Sequence, residues 1–269
     1  MSPFAIDDHA GAVTTMVRAA SRASLEWYRR PIAVDNKLAD GYDPVTEADR
    51  AVEDEIRKAL GELFPDHAIL GEERGETGSG PLRWTIDPID GTRAFVSGQP
   101  MWGTLVGFQV DGKPVAGWMH QPVLDETLVA TPAGGSLIIG DPAAPSEERP
   151  LACRTTVRLD QAILLCTHPE MFDPGWQQDG FARLDAAVQL TRYSGDCVNY
   201  GLLAAGQIDL VVENGLALYD IVPLIPIVES AGGIITDLDG CPPLEGGFVV
   251  AAATPELHAA VLDLFDPAT

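Results

Sequence analysis

Arg83-Trp84-Thr85-Ile86-Asp87-Pro88-Ile89-Asp90-Gly91-Thr92 is a short apolar run that ends in two carboxylates and a turn. Trp84 to Ile86 reads as a strand, and Asp-Pro followed by Asp-Gly is turn chemistry, so both aspartates fall where the strand stops. Two other acidic positions are placed alike: Gly71-Glu72-Glu73 follows the strand-like Ala68-Ile69-Leu70, and Asp220 opens a helical pattern far downstream. Each has an ordinary explanation taken singly: a solvated loop for Glu72-Glu73, turn formation for Asp87 and Asp90, a helix N-cap for Asp220. Carboxylates gathered in a cleft without Lys or Arg partners repel one another. Hard divalent cations relieve that repulsion, and all-oxygen ligation selects Mg2+ or Mn2+ over zinc.

Outward from this segment, the spacing of Ala12, Val13, Met16, Val17 and Ala20 predicts an amphipathic helix from about Asp8 to Arg30. A second helix is predicted from Thr46 through Val52, Ile56 and Leu60 to Phe64, stopped by Pro65, with a polar loop at Lys37 to Pro44 between the two. Short apolar runs follow at 68–70, 83–86, 103–110, 114–120, 127–130 and 136–139. Asp111-Gly112 joins two of them as a hairpin. The first half therefore reads as helices on a largely antiparallel sheet. Asp141 to Pro150, rich in Pro, Ala and Glu, reads as a junction between an α+β half (1–145) and an α/β half (146–269). Beyond it strands at 162–166, 209–212, 234–236 and 248–251 alternate with helices near 180–187, 197–205, 219–231 and 255–264. Gly232-Gly233 is expected to close the helix at 219–231.

The 269 residues carry 40 acidic against 17 basic side chains, a formal net charge of −23. So acidic a surface excludes functions that depend on neutralising a nucleic-acid backbone, while leaving room for a small phosphate ester whose site is first made cationic by metal ions. There is no signal-peptide pattern at the start and no apolar stretch long enough to span a bilayer, so a cytoplasmic location without membrane association is expected. Cys153, Cys166, Cys197 and Cys241 lack zinc or disulfide spacing and are expected as reduced thiols.

Taken together, G-E-E at 71–73, D-P-I-D-G-T at 87–92 and Tyr219-Asp220 through Glu229-Ser-Ala-Gly-Gly, in this order, resemble the signature of the inositol monophosphatase-like family of Mg2+-dependent sugar phosphatases. The resemblance implies a layered αβαβα sandwich, a site at the junction of the two halves, a homodimer, and hydrolysis of a small phosphomonoester by direct attack of water. By matching position it implies one metal on Glu72, Asp87 and the Ile89 carbonyl and a second on Asp87, Asp90 and Asp220, with Glu72 orienting water on a weaker third ion. Two or three Mg2+ per site are thus expected, with Mn2+ able to substitute. Asp49 and Thr92 would share the nucleophilic water, the reading preferred because only it gives the water a base, although Thr46 and Asp49 also fit a helix capping box. The amides of Gly91, Thr92, Gly195 and Asp196 would cradle the phosphate.

The runs from Asp90 to Leu105 and from Arg192 to Glu213 resemble the histidinol-phosphatase branch of that family, with Arg93-Ala94 where inositol phosphatases usually read threonine and asparagine. Histidinol phosphate has a cationic leaving group, which acceptors should read. Glu213 and Asp196 fit, while Asp196 equally fits a helix cap. Arg93 either contacts the phosphate or pairs with a ligand carboxylate. Competing expectations are an inositol or other sugar monophosphatase, a 3′(2′),5′-bisphosphate nucleotidase, and a non-catalytic binding relative. Pro223 is tolerable near a helix start, whereas Pro226 is expected to bend the helix that carries Asp220.

Overall fold

The two N-terminal helices follow their apolar spacing. In the computed structural model, which describes residues 4–36 and 44–265, α1 (Ala10–Ala23) buries Val13, Val17 and Ala20, and α2 (Glu47–Leu63) buries Val52, Ile56 and Leu60. The first helix is shorter than its periodicity suggests. Ser24 Oγ turns back to the Ser21 carbonyl, a single 3-10 turn follows, and Trp27 and Tyr28 pack into a separate cluster with Phe95 and Trp102. The loop expected before Pro44 lies outside the described residues, except for Pro44 itself. That residue opens β2 (Pro44–Thr46), which pairs antiparallel with β1 (Val34–Asn36).

The first large sheet comprises β3 (Ala68–Gly71), β4 (Gly75–Thr77), β5 (Leu82–Asp90), β6 (Gly103–Val110), β7 (Lys113–Gln121), β8 (Glu126–Thr131), β9 (Gly134–Asp141) and β10 (Ala144–Pro150). Their order is β10-β9-β8-β7-β6-β5-β3-β4. Neighbours from β5 to β10 pair antiparallel in succession, and β3 alone runs parallel to β5. Asp111 and Gly112 both have positive φ, which suits a tight hairpin between β6 and β7.

The junction expected at 141–150 is instead the outer arm of a hairpin. β10 is the edge strand; its exposed Glu147 and Glu148 and its two prolines read as linker composition because an edge strand is kept polar and interrupted. The chain leaves the sheet only after Pro150, so a boundary at 145/146 falls inside β10.

The second sheet, in the order β12-β11-β13-β15-β14, comprises β11 (Ile163–Cys166), β12 (Leu190–Tyr193), β13 (Leu210–Leu216), β14 (Ile234–Thr236) and β15 (Gly247–Ala252). The remaining helices are α3 (Thr92–Ser97), α4 (Trp176–Ala187), α5 (Cys197–Ala204), α6 (Leu218–Ile221), α7 (Leu224–Ser230) and α8 (Pro255–Leu264). Three apolar clusters define the layers. α1 and α2 cover one face of the first sheet through Trp84, Phe108 and Trp118. α5 and α7 fill the space between the sheets, where Leu105, Met119 and Leu128 meet Tyr200, Ile225 and Val249. α4 and α8 cover the outer face of the second sheet through Phe172, Phe181 and Phe265. This is the αβαβα sandwich that the resemblance implies.

The single helix expected at 219–231 is two. The break falls at Val222-Pro223, not at Pro226, because Pro226 sits in the first turn of α7, where an N–H has no helical partner. Pro223 is seated on the first sheet: a Cβ at Gly117 would lie 1.9 Å from its carbonyl oxygen, and one at Gly107 would lie 3.2 Å from its Cα.

Candidate active site

The end of β5 meets the second half of the molecule, where Asp90 Oδ2 accepts the Cys197 amide. Pairing with β6 shifts register between Asp87 and Asp90, a bulge that lets both aspartates serve one cleft. Gly91, at φ 86°, then turns the chain into α3; a Cβ there would stand 3.0 Å from the Met101 carbonyl and 3.1 Å from Asp196 Oδ2. Asp220 arrives from α6. It is the third residue of that helix, not its cap, and its Oδ2 accepts the Ala217 amide at 2.8 Å.

Asp87, Asp90 and Asp220 each present an oxygen within 4.8 Å of the others. Burial first, then the charges of Glu72, Asp90 and Asp220, pushes the Asp87 carboxyl well above the usual carboxylate range. Burial and the charges of Asp196 and Asp220 do the same to Asp90. Asp87 Oδ1 is buried with no hydrogen-bond partner among the described residues. Three convergent carboxylates, one with an unpartnered oxygen, are a donor set that fits a hard divalent cation. Glu72 and Ile89 line the same cleft, and the Glu72 amide is tied to the Ile86 carbonyl at 3.1 Å.

Thr92 Oγ donates to the Ile89 carbonyl at 3.0 Å and lies 3.4 Å from Asp49 Oδ1. Asp49 Oδ2 accepts both the Thr46 amide at 2.8 Å and the Thr46 hydroxyl at 2.6 Å. The capping and site readings of Asp49 are therefore compatible, one oxygen each. Asp49 does not line the cleft; it stands behind Thr92. Burial raises its pKa, opposed by the Thr46 hydrogen bonds.

The cleft, of about 600 Å³, continues between the two sheets to Thr167, His168, Met171, Tyr200, Glu213 and Asn214. Glu213 is 1% exposed and accepts from the Thr167 amide (2.9 Å), the Thr167 hydroxyl (2.7 Å), the Tyr200 hydroxyl (3.1 Å) and Asn199 Nδ2 (3.3 Å). Burial outweighs these donors and pushes its pKa up to about 7. The Asp196 carboxyl, raised to about 6 by burial and opposed by the Arg93 charge, also lines the cleft, and its side chain makes no capping bond to α5.

On the second half, of the two amides expected to cradle the phosphate, that of Asp196 donates to Thr167 Oγ at 3.1 Å, and Gly195 lies outside the cleft lining, where a Cβ would meet Asn199 Oδ1 at 2.0 Å. Gly91 and Thr92 do line the cleft. Exposed Arg93 reaches to 3.5 Å from His168 Nε2 across the mouth, and burial, then the Arg93 charge, lowers the His168 pKa. Thr167 and His168 went unnoticed in the sequence. Their signal is position: they directly follow an apolar strand of an α/β half, where site residues concentrate.

Carboxylates on the ends of β3, β5 and a short helix meet in one cleft between the halves of an αβαβα sandwich, a donor set that fits a hard divalent cation. The inositol monophosphatase family model matches residues 8–268, and the chain belongs to that family. A histidinol-phosphatase of Chlorobaculum parvum is 36% identical over 223 residues, 82% of each chain. An inositol-1-monophosphatase of Mesorhizobium japonicum is 30% identical over 251 residues, 89% of this chain and 90% of its own. The solved structure of an inositol monophosphatase from Zymomonas mobilis, 34% identical, superposes with a TM-score of 0.81 over 97% of this chain and 99% of that one. Among the described residues no helix is long and apolar enough to cross a membrane.

Proposed function

We propose that this phosphatase is Mg2+-dependent and hydrolyses L-histidinol phosphate to L-histidinol and phosphate. The observation that carries the choice of substrate is the acidic end of the cleft: Glu213 and Asp196 both line it, and an ammonium or protonated imidazole is the leaving-group chemistry that two carboxylates suit. The histidinol-phosphatase relative supports the same choice.

Glu72, Asp87, Asp90, Asp220 and the Ile89 carbonyl would hold the metal. When bound, it supplies positive charge to the phosphoryl oxygens and favours deprotonation of the attacking water. Thr92 orients that water with its hydroxyl, whose one proton turns from the Ile89 carbonyl to Asp49 Oδ1, and so passes the water's proton toward Asp49, whose raised pKa makes it a competent acceptor. A new P–O bond forms as the ester P–O bond breaks; the departing oxygen takes a proton from solvent water, Asp49 returns its proton to solvent, and the alcohol leaves toward Glu213. The Gly91 and Thr92 amides face the phosphate, with Arg93 at the mouth.

The test is phosphate release from histidinol phosphate, inositol 1-phosphate and adenosine 3′,5′-bisphosphate, each with Mg2+ and with EDTA. Histidinol phosphate should give the highest kcat/KM, and only with metal. A preference for inositol 1-phosphate would replace the substrate assignment. Full turnover in EDTA would overturn the metal assignment.

A further inference from the structure

The turn that carries Glu72 is held from beneath by a buried carboxylate on α2. Glu53 is fully buried. Its Oε2 accepts the Glu73 amide at 2.7 Å, and its Oε1 accepts the Arg74 amide at 3.1 Å and Arg57 Nε at 2.6 Å. Arg57, one helical turn on, donates to Thr77 Oγ at 3.1 Å and to the Gly75 carbonyl. A charge this deep is tolerated only where donors satisfy both oxygens, and every donor here except Arg57 belongs to the turn after Glu72.

Gly71 closes the arrangement from the other side. A Cβ there would stand 2.1 Å from Glu53 Oε1 and 2.8 Å from Arg57 Nη2, so the seat of the Glu53 carboxylate is what excludes a side chain from this strand position. Glu72 is thus fixed on both flanks: its own amide bonds to Ile86, the residue before Asp87, and the next two amides bond to Glu53. The outer Arg74–Asp54 pair, at 2.6 Å, is solvent-exposed and contributes little by comparison.

We infer that Glu53 is a positioning residue for the metal centre: touching neither substrate nor metal, it sets the turn that presents Glu72 beside Asp87. This rests on the proposed role of Glu72 as a ligand. Metal affinity is the property at stake, since partners that orient a ligand are worth about 10- to 100-fold in binding.

The experiment is calorimetric titration of the whole protein with Mg2+ and Mn2+, well below its unfolding temperature. Glu53→Gln keeps the shape but turns one acceptor into a donor facing a backbone N–H. It should raise the metal Kd about tenfold or more, and kcat should recover toward the native value at saturating metal. Gly71→Ala should do the same by displacing the carboxylate, and it carries the test if Glu53→Gln fails to fold. In a Glu53→Ala background the added Gly71→Ala should cost little further, because the clash with the carboxylate is gone and the flexible Arg57 side chain, released from Glu53, can move off the methyl. Asp54→Ala should leave Kd unchanged. If Glu72→Gln binds metal like the native protein, the ligand role of Glu72 fails. If Glu72→Gln weakens binding while folded Glu53→Gln and Gly71→Ala do not, Glu53 only supports the fold and the inference is overturned.

Discussion

Replacing Glu213 by glutamine separates recognition of the leaving group from phosphate chemistry. Oε1 of Glu213 takes the Thr167 and Asn199 donors, and Oε2 takes the Tyr200 hydroxyl. A glutamine oriented with its carbonyl toward Thr167 keeps the first set, and the Tyr200 hydroxyl can rotate to accept from the new NH2. The substitution therefore removes charge with little change of shape. A charge-assisted hydrogen bond to a cationic leaving group is worth about 1.5 to 3 kcal/mol, so kcat/KM for histidinol phosphate should fall by roughly 10- to 150-fold. Turnover of glycerol 2-phosphate, which has no cation, should stay within about twofold on the same argument.

Stability should move the other way. A buried carboxyl raised from 4.5 to about 7 binds its proton more tightly folded than unfolded, so its contribution is best below pH 4.5 and declines as pH rises to 7. The ionised form then costs on the order of 3 kcal/mol. Glu213→Gln should accordingly unfold at a higher temperature than the native protein at pH 8, with the gain vanishing near pH 4.5. Paired phosphate-release and thermal-melt series check both halves. Equal loss on the two esters would place Glu213 in support of the site and refute its role in reading the leaving group.

Asp90→Asn and Asp220→Asn should each lower kcat by two or more orders of magnitude, yet raise the melting temperature in EDTA, since each relieves repulsion that lifts the Asp87 carboxyl; an unchanged kcat would remove that residue from the metal set. Thr92→Ala should lower kcat without much change in KM or melting temperature, whereas Asp49→Asn should lower kcat and also cost about 1 kcal/mol of stability in urea, because it weakens the α2 capping box. His120 is buried against Thr127 Oγ at 2.8 Å, with its pKa pushed down to about 3 by burial, opposed by Asp125 and reinforced by Arg18 and Arg22. An unfolded histidine protonates near pH 6.5, so this burial costs nothing above that pH and on the order of 5 kcal/mol at most as pH falls toward 3; urea unfolding of His120→Gln should lose that dependence between pH 6.5 and 4, above the range where the Arg18-paired Asp125 titrates.

What could be read from the sequence was what neighbours along the chain decide. The helices at 47–63 and 255–264 carry their own stripe, cap and stop, and Asp87-Pro-Ile-Asp-Gly-Thr92 carries its own strand end and turn. β10 was illegible because polar, proline-containing composition means linker in isolation and edge strand beside β9. The helix break at Pro223 depends on a cross-layer fit against Gly107 and Gly117, which no local pattern encodes. Thr167 is a site residue only because β11 runs parallel to β13, which brings the end of one strand beside Glu213 on the other.

Asp49 and Glu53 show why the hidden half of a site follows from the visible half. They lie four residues apart, on one face of α2, and both are buried carboxylates, a costly pattern for a helix that only covers a sheet. One has an oxygen near Thr92 and the other holds the amides after Glu72. Since β3 and β5 are parallel neighbours, their ends emerge side by side, and a single helix laid across them can govern both. The charges that α2 buries beneath the first sheet are therefore explained by the carboxylates that sheet presents at its edge.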